Sequence, residues 1–91
     1  MQISYAPAFL RLLGKLDAHV KESVKQAVGR VIGFYEGGER TPGLGIKRLR
    51  GSLWEARAGL RVRVVYSLSG DRLHFILAGN HDDVRTFLRQ L

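Results

Sequence analysis

The residues of this chain that could do chemistry are crowded into its second half. Arg57, Arg61 and Arg63 lie within seven positions, Glu55 stands two residues before the first of them, and His81 follows at the end of the next apolar segment. Arginine offers a planar fork of donors that suits phosphate and carboxylate. An imidazole exchanges protons close to neutral pH. Together they describe a basic surface beside one titratable group.

Around them the charge is uneven. The formal net charge is +7, and from Glu39 onward ten Lys or Arg face five Asp or Glu, against five and three before it. Lys47, Arg48, Arg50, Arg57, Arg61 and Arg63 all fall within seventeen residues. Such an excess favours nucleic acid or an acidic protein as partner. A plain solvated basic face is the alternative reading.

Composition removes other chemistries. There is no cysteine, so disulfides, thiolate zinc sites and cysteine nucleophiles are excluded together. His19, His74 and His81 are too scattered for a ligand cluster, and no metal or cofactor is expected. No apolar run approaches the ~20 residues that span a bilayer, and no basic segment with an apolar signal core opens the chain, so a cytoplasmic address without membrane contact is expected. With 91 residues, 45% hydrophobic and 25% charged, the chain should form one α+β domain over residues 1–91.

The elements that must position the chemistry follow from periodicity. Gln2 to Ala6 alternates weakly and is closed by Pro7, a short first strand. Phe9, Leu12, Leu13 and Leu16 follow helical spacing. Asp17 then caps a longer helix, whose stripe Val20, Val24, Ala27, Val28, Val31, Ile32 and Tyr35 ends at Gly37 and Gly38. The two helices should form a hairpin lying across a sheet.

After a Pro- and Gly-rich loop, four strands are expected as an antiparallel meander, over 46–49, 53–58, 60–68 and 72–78, cut by Gly59 and by Ser69, Gly70 and Asp71. In the third, Leu60, Val62, Val64, Tyr66 and Leu68 alternate with Arg61, Arg63, Val65 and Ser67. In the fourth, Leu73, Phe75 and Leu77 alternate with His74, Ile76 and Ala78, so both faces are apolar and a central place in the sheet is expected. His74 reads as a satisfied sheet residue. A short helix capped by Asp82 or Asp83 should close the chain, with Val84, Phe87, Leu88 and Leu91 along one side.

In this order and spacing, Arg48, Leu49, Arg50, Gly51, then Leu53 to Arg57, then Arg63, Val64, Val65 and Tyr66 resemble the sequence core of the RelE/ParE toxin superfamily of type II toxin–antitoxin systems. The likeness covers almost the whole chain. Gly79, Asn80, His81, Asp82, Asp83 and Val84 are similar to the ending of the YafQ-like members, in which the histidine is catalytic.

The resemblance implies a RelE-like fold and ribosome-dependent, metal-free cleavage of messenger RNA, with ribosomal RNA as docking surface and an acidic antitoxin as partner. It implies roles for His81 in proton transfer, for Arg57, Arg61 and Arg63 at the scissile phosphate, and for Glu55 as a second proton-transfer group or as the orienting partner of an arginine. Lys47, Arg48, Arg50 and Arg85 would contact RNA. The chain also departs from the pattern: Arg85 stands where the ribonuclease toxins commonly carry an aromatic, and residues such as Arg57 and Arg61 replace histidine and acidic groups of the YafQ-like members. The alternatives are a ParE-like inhibitor of DNA gyrase, which has no catalytic residues, and a basic binding module whose toxicity has decayed.

Overall fold

A computed structural model describes residues 1–91. In chain order it contains β1 (Gln2–Tyr5), α1 (Pro7–Lys15), α2 (Ala18–Gly37), β2 (Lys47–Arg50), β3 (Leu53–Arg57), β4 (Arg63–Ser69), β5 (Arg72–Gly79) and α3 (His81–Arg89). The order expected from periodicity is the order found: a strand, a helical hairpin, an antiparallel meander and a terminal helix.

Local chemistry sets the helix ends. Pro7 opens α1, where its missing N–H would be unpaired in any case. Asp17 caps α2 by accepting from the Val20 amide at 3.0 Å, and Gly38 ends it in the left-handed conformation at φ 68°.

The five strands form one sheet in the order β1-β5-β4-β3-β2. The last four are antiparallel neighbours, while β1 runs parallel to β5, pairing Ile3 with Leu73 and Tyr5 with Phe75. This first-to-last pairing was not evident from periodicity. It places β5 inside the sheet, between β1 and β4, and it requires the hairpin to cross over the sheet between β1 and the meander. Phe9, Val24, Ala27 and Val31 from the helices are buried with Ala56, Val64, Tyr66, Leu73, Phe75 and Ala78 from the strands in one core. The opposite face is covered only in part. There α3 packs against β4 and β5, and Val65 and Val84 are buried outside the main core.

Two expectations are corrected. The third meander strand begins at Arg63, not Leu60, because Ala58 N–H donates to Val62 O at 2.8 Å and closes a bend over the residues between. Leu60, placed by alternation in the apolar row, is 98% exposed. In β5 the alternation breaks at Ile76, which has no partner in β4, since Val65 pairs with Leu77 and Tyr66 with Phe75. Ala78 therefore joins Leu73 and Phe75 in the core, and Leu77 turns to the other face.

Inside the core the Tyr66 hydroxyl is hydrogen-bonded to that of Tyr35 at 2.8 Å, and Tyr66 stands beside Phe75 with ring centroids 5.9 Å apart. Burial, reinforced by the Tyr35 hydroxyl, pushes the Tyr66 phenol well above its ordinary range. An unfolded chain releases this proton near pH ~10, and the folded chain holds it, so the associated stability is complete below that pH and falls as the pH rises above it. Alkaline denaturation should therefore steepen above pH ~10 by roughly 1.4 kcal/mol per pH unit, and Tyr66→Phe should remove that increment while costing about 1 kcal/mol at neutral pH. Urea unfolding followed across the alkaline range checks both.

Candidate functional site

The partly open face of the sheet carries the charged side chains. Register places Lys47 opposite Glu55, Glu55 opposite Val65, and Arg57 opposite Arg63. Two arginines directly across a strand pair repel each other. Glu55, diagonal to Arg63, offsets part of this: its Oε2 lies 3.5 Å from Arg63 Nε, with the two side chains 12% and 20% exposed. The contact supplies charge but falls short of hydrogen-bond geometry, so the buried Nε–H has no partner. Glu55 holds the stem of Arg63, and no internal hydrogen bond engages the terminal nitrogens of that guanidinium.

The end of β5 fixes the histidine. Asn80, not Asp82 or Asp83, is the N-cap of α3: its side chain accepts from the Asp83 amide and the Asp83 carboxylate accepts from the Asn80 amide, both at 2.8 Å. The reason is that β5 runs to Gly79 without a loop, so the helix begins at once and Asp83 falls at its third position, where a carboxylate closes the capping box. That Asn-x-x-Asp spacing was visible in the sequence. Gly79 permits the tight entry, since a Cβ there would stand 2.7 Å from Asp83 Cβ and Oδ2. His81 is thus the first residue of α3 and is exposed. Neither the His81 nor the Asp82 amide has an internal acceptor, so both remain available to an anion.

These two constructions meet. Arg61, Arg63, Asn80, His81 and Asp82 line one depression of about 270 Å³, with the exposed Leu60 on its wall. The other candidates are distributed around it. Arg57 lines a different depression, on the far side of the 58–62 bend. Arg48 is paired with Trp54 on the helix-covered side of β2 and donates from Nε to Gly51 O at 2.9 Å. Arg50 reaches Leu88 O at the end of α3, at 3.4 Å. Arg85 is exposed one helical turn beyond His81, on the same side of α3. His74 is engaged away from this group, its Nδ1 2.7 Å from Ser4 Oγ.

Set beside known proteins, the chain matches no family model and no curated protein. Solved structures do match. YafQ from E. coli strain BL21(DE3) superposes with a TM-score of 0.74 at 15% identity, over 91% of this chain and 96% of that one. YafQ in the E. coli DinJ–YafQ toxin–antitoxin complex gives 0.73 at 16% identity, over 91% and 94%. The YoeB/ParE toxin from Agrobacterium tumefaciens gives 0.66 at 20%, over 89% and 99%, and the archaeal RelE–RelB complex from Pyrococcus horikoshii OT3 gives 0.65 at 20%, over 87% and 92%. The fold is that of the RelE/ParE toxins.

In this RelE-like frame the first turn of α3 closes one side of the depression, so its rigidity sets where the imidazole stands. Asn80→Ala removes the cap and leaves the Asp83 amide without its acceptor, at a cost of about 1 kcal/mol. Thermal denaturation should show that loss. Hydrogen exchange at the amides of residues 83–85 should quicken more than in β4, whereas uniform quickening would mean that the cap has no local role.

Proposed function

We propose that this chain is the toxin of a type II toxin–antitoxin pair and that it cleaves messenger RNA on the ribosome. The observation that carries the reading is the single depression lined by His81, Arg61 and Arg63 at the amide end of α3. In the reaction, a ribose 2′-oxygen forms a bond to the adjacent phosphorus and the bond from phosphorus to the 5′-oxygen breaks. The products are a 2′,3′-cyclic phosphate and a 5′-hydroxyl, with one proton leaving the 2′-hydroxyl and one reaching the 5′-oxygen. His81 is the imidazole of this depression, and an imidazole is the side chain suited to moving such a proton.

Arg61 and Arg63 offset the charge that develops on the phosphoryl oxygens, and the free amides at the start of α3 add to it. Glu55 acts through Arg63, as a positioning residue, because its carboxylate lies against that guanidinium stem and does not line the depression that holds His81. Arg57, Lys47 and Arg85 surround the site as contacts for RNA leading to and from it. The partner is an acidic antitoxin, a reading supported by the +7 charge of the chain and by the complexes in which YafQ and RelE were solved.

The histidine at the strand end separates this reading from a ParE-like one, in which gyrase is the target and no residue is catalytic. Wild-type protein added to a translating extract should give codon-spaced breaks in the message. His81→Ala should reduce them roughly 10²-fold or more without changing the melting temperature by more than a degree or two. An intact message with wild-type protein would overturn the nuclease assignment, and inhibited supercoiling with purified gyrase would then transfer it to the ParE-like reading.

A further inference from the structure

A second cationic depression lies on the far side of the 58–62 bend, and of its residues the proposed function uses only Arg57, as a general contact for RNA. Its volume is about 250 Å³. Its floor is small and apolar, formed by the buried Ala27, Leu44 and Ala58, and its exposed rim carries Gln26, Arg30 and Arg57. None of the eight carboxylates of the chain lines it. Arg30 and Arg57 make neither an ion pair nor a side-chain hydrogen bond anywhere in the structure, in contrast to Arg48, Arg50, Arg63 and Arg72.

The geometry shows how both arginines come to be there. Gln26 and Arg30 are one turn apart on α2, so they share a side of that helix. Arg57 ends β3, where its amide donates to Leu44 O at 2.7 Å. Its stem lies along Gly45, at which a Cβ would meet Arg57 Cδ and Nε at 3.1 Å, and Gly45 is held at φ 59°. The loop thus leaves room for the guanidinium stem. Gly59 lines this depression and the next residue, Leu60, lines the one that holds His81, so the bend separates two cationic hollows by the width of one loop.

We infer that the Arg30–Arg57 depression is a second phosphate-binding subsite, which takes a backbone phosphate of the same RNA strand whose scissile phosphate lies beside His81. This rests on the nuclease reading for the identity of the strand, but the contact itself is independent of cleavage. Two unpaired guanidinium groups at a depression that no carboxylate lines attract an anion, and arginine binds phosphate bidentately. A site that holds a neighbouring phosphate fixes the register of the strand across the bend.

The test measures binding of a short single-stranded RNA to protein carrying His81→Ala, so that the strand stays whole, at salt concentrations from about 50 to about 200 mM. Adding Arg30→Gln should weaken binding roughly three- to tenfold at the low-salt end and reduce the slope of log affinity against log salt by ~0.7, the value for one phosphate contact on a single strand. Arg30→Lys should keep the slope, because the charge remains. Arg11→Gln, on the exposed side of α1 and away from both depressions, should keep it too.

An unchanged slope in Arg30→Gln, or an equal fall in Arg11→Gln, would overturn the subsite. An unchanged slope would also be the outcome if the depression takes an acidic protein segment instead of RNA. If wild-type protein cuts message while the Arg30→Gln slope is unchanged, the subsite fails and the nuclease reading stands. If message stays intact while the slope falls as expected, the nuclease reading fails and the RNA subsite stands.

Discussion

One extra residue in β5 decides how the two faces of this sheet are used. Strict alternation would carry Leu77 into the core with Leu73 and Phe75 and turn Ala78 away. Because Ile76 is unpaired, the phase slips, Ala78 packs under the helices, and Gly79 arrives opposite Arg63. A bulge of this kind also sharpens the local twist. The strand therefore ends beside the arginine, and α3, which starts two residues later with no intervening loop, opens next to it. Without the slip every side chain beyond Ile76 would change faces.

The division between the faces is also a division of physical roles. The helix-covered face holds the core, where the Tyr35–Tyr66 hydroxyl pair satisfies the buried polar atoms and the aromatic rings of Tyr5, Phe9, Tyr66 and Phe75 stack or tilt together. The other face holds charge that the fold does not neutralise. Its one ion pair, Glu55 with Arg63, is imperfect in geometry and leaves Nε without a hydrogen bond. The core draws on the helix-covered side, so the exposed arginines around the sheet edge and the 58–62 bend can be arranged for binding at little cost to folding. An unbalanced net charge opposes compaction through self-repulsion, which an acidic partner over the basic face would relieve.

Much of this was legible in the residues. The α2 stripe from Val20 to Tyr35, the Asp17 cap and the Gly38 stop are local signals, and each is found where the spacing puts it. The strands were legible as strands because β-branched and aromatic runs between turn residues carry that information within a few positions. What failed was non-local or depended on one-residue shifts. Leu60 reads as an apolar strand position, but the Ala58–Val62 hydrogen bond makes it the tip of a bend. Ile76 reads as part of an even alternation, and only the pairing with β4 shows that it is supernumerary. The parallel pairing of β1 with β5 joins residues some seventy positions apart, and no local pattern encodes it.

For the candidate site the same limit applies at a finer scale. Strand and turn signals located Arg57 and Arg63 on strands but misplaced Arg61, which lies in the bend before β4, and the strand-to-helix junction located His81; face and neighbourhood come from register. Arg57 and Arg63 read as equivalent, since both are arginines on adjacent strands; the fold places one beside His81 and the other across the bend, against Gly45. Arg30 belongs to a helix face that reads as solvated, and it acquires significance only because the 42–45 loop and the end of β3 come to lie against that face. A basic surface on a small domain is thus resolved by the bend at 58–62 into two separate hollows, and under the proposed function it is this partition, more than the total charge, that would orient an anionic strand.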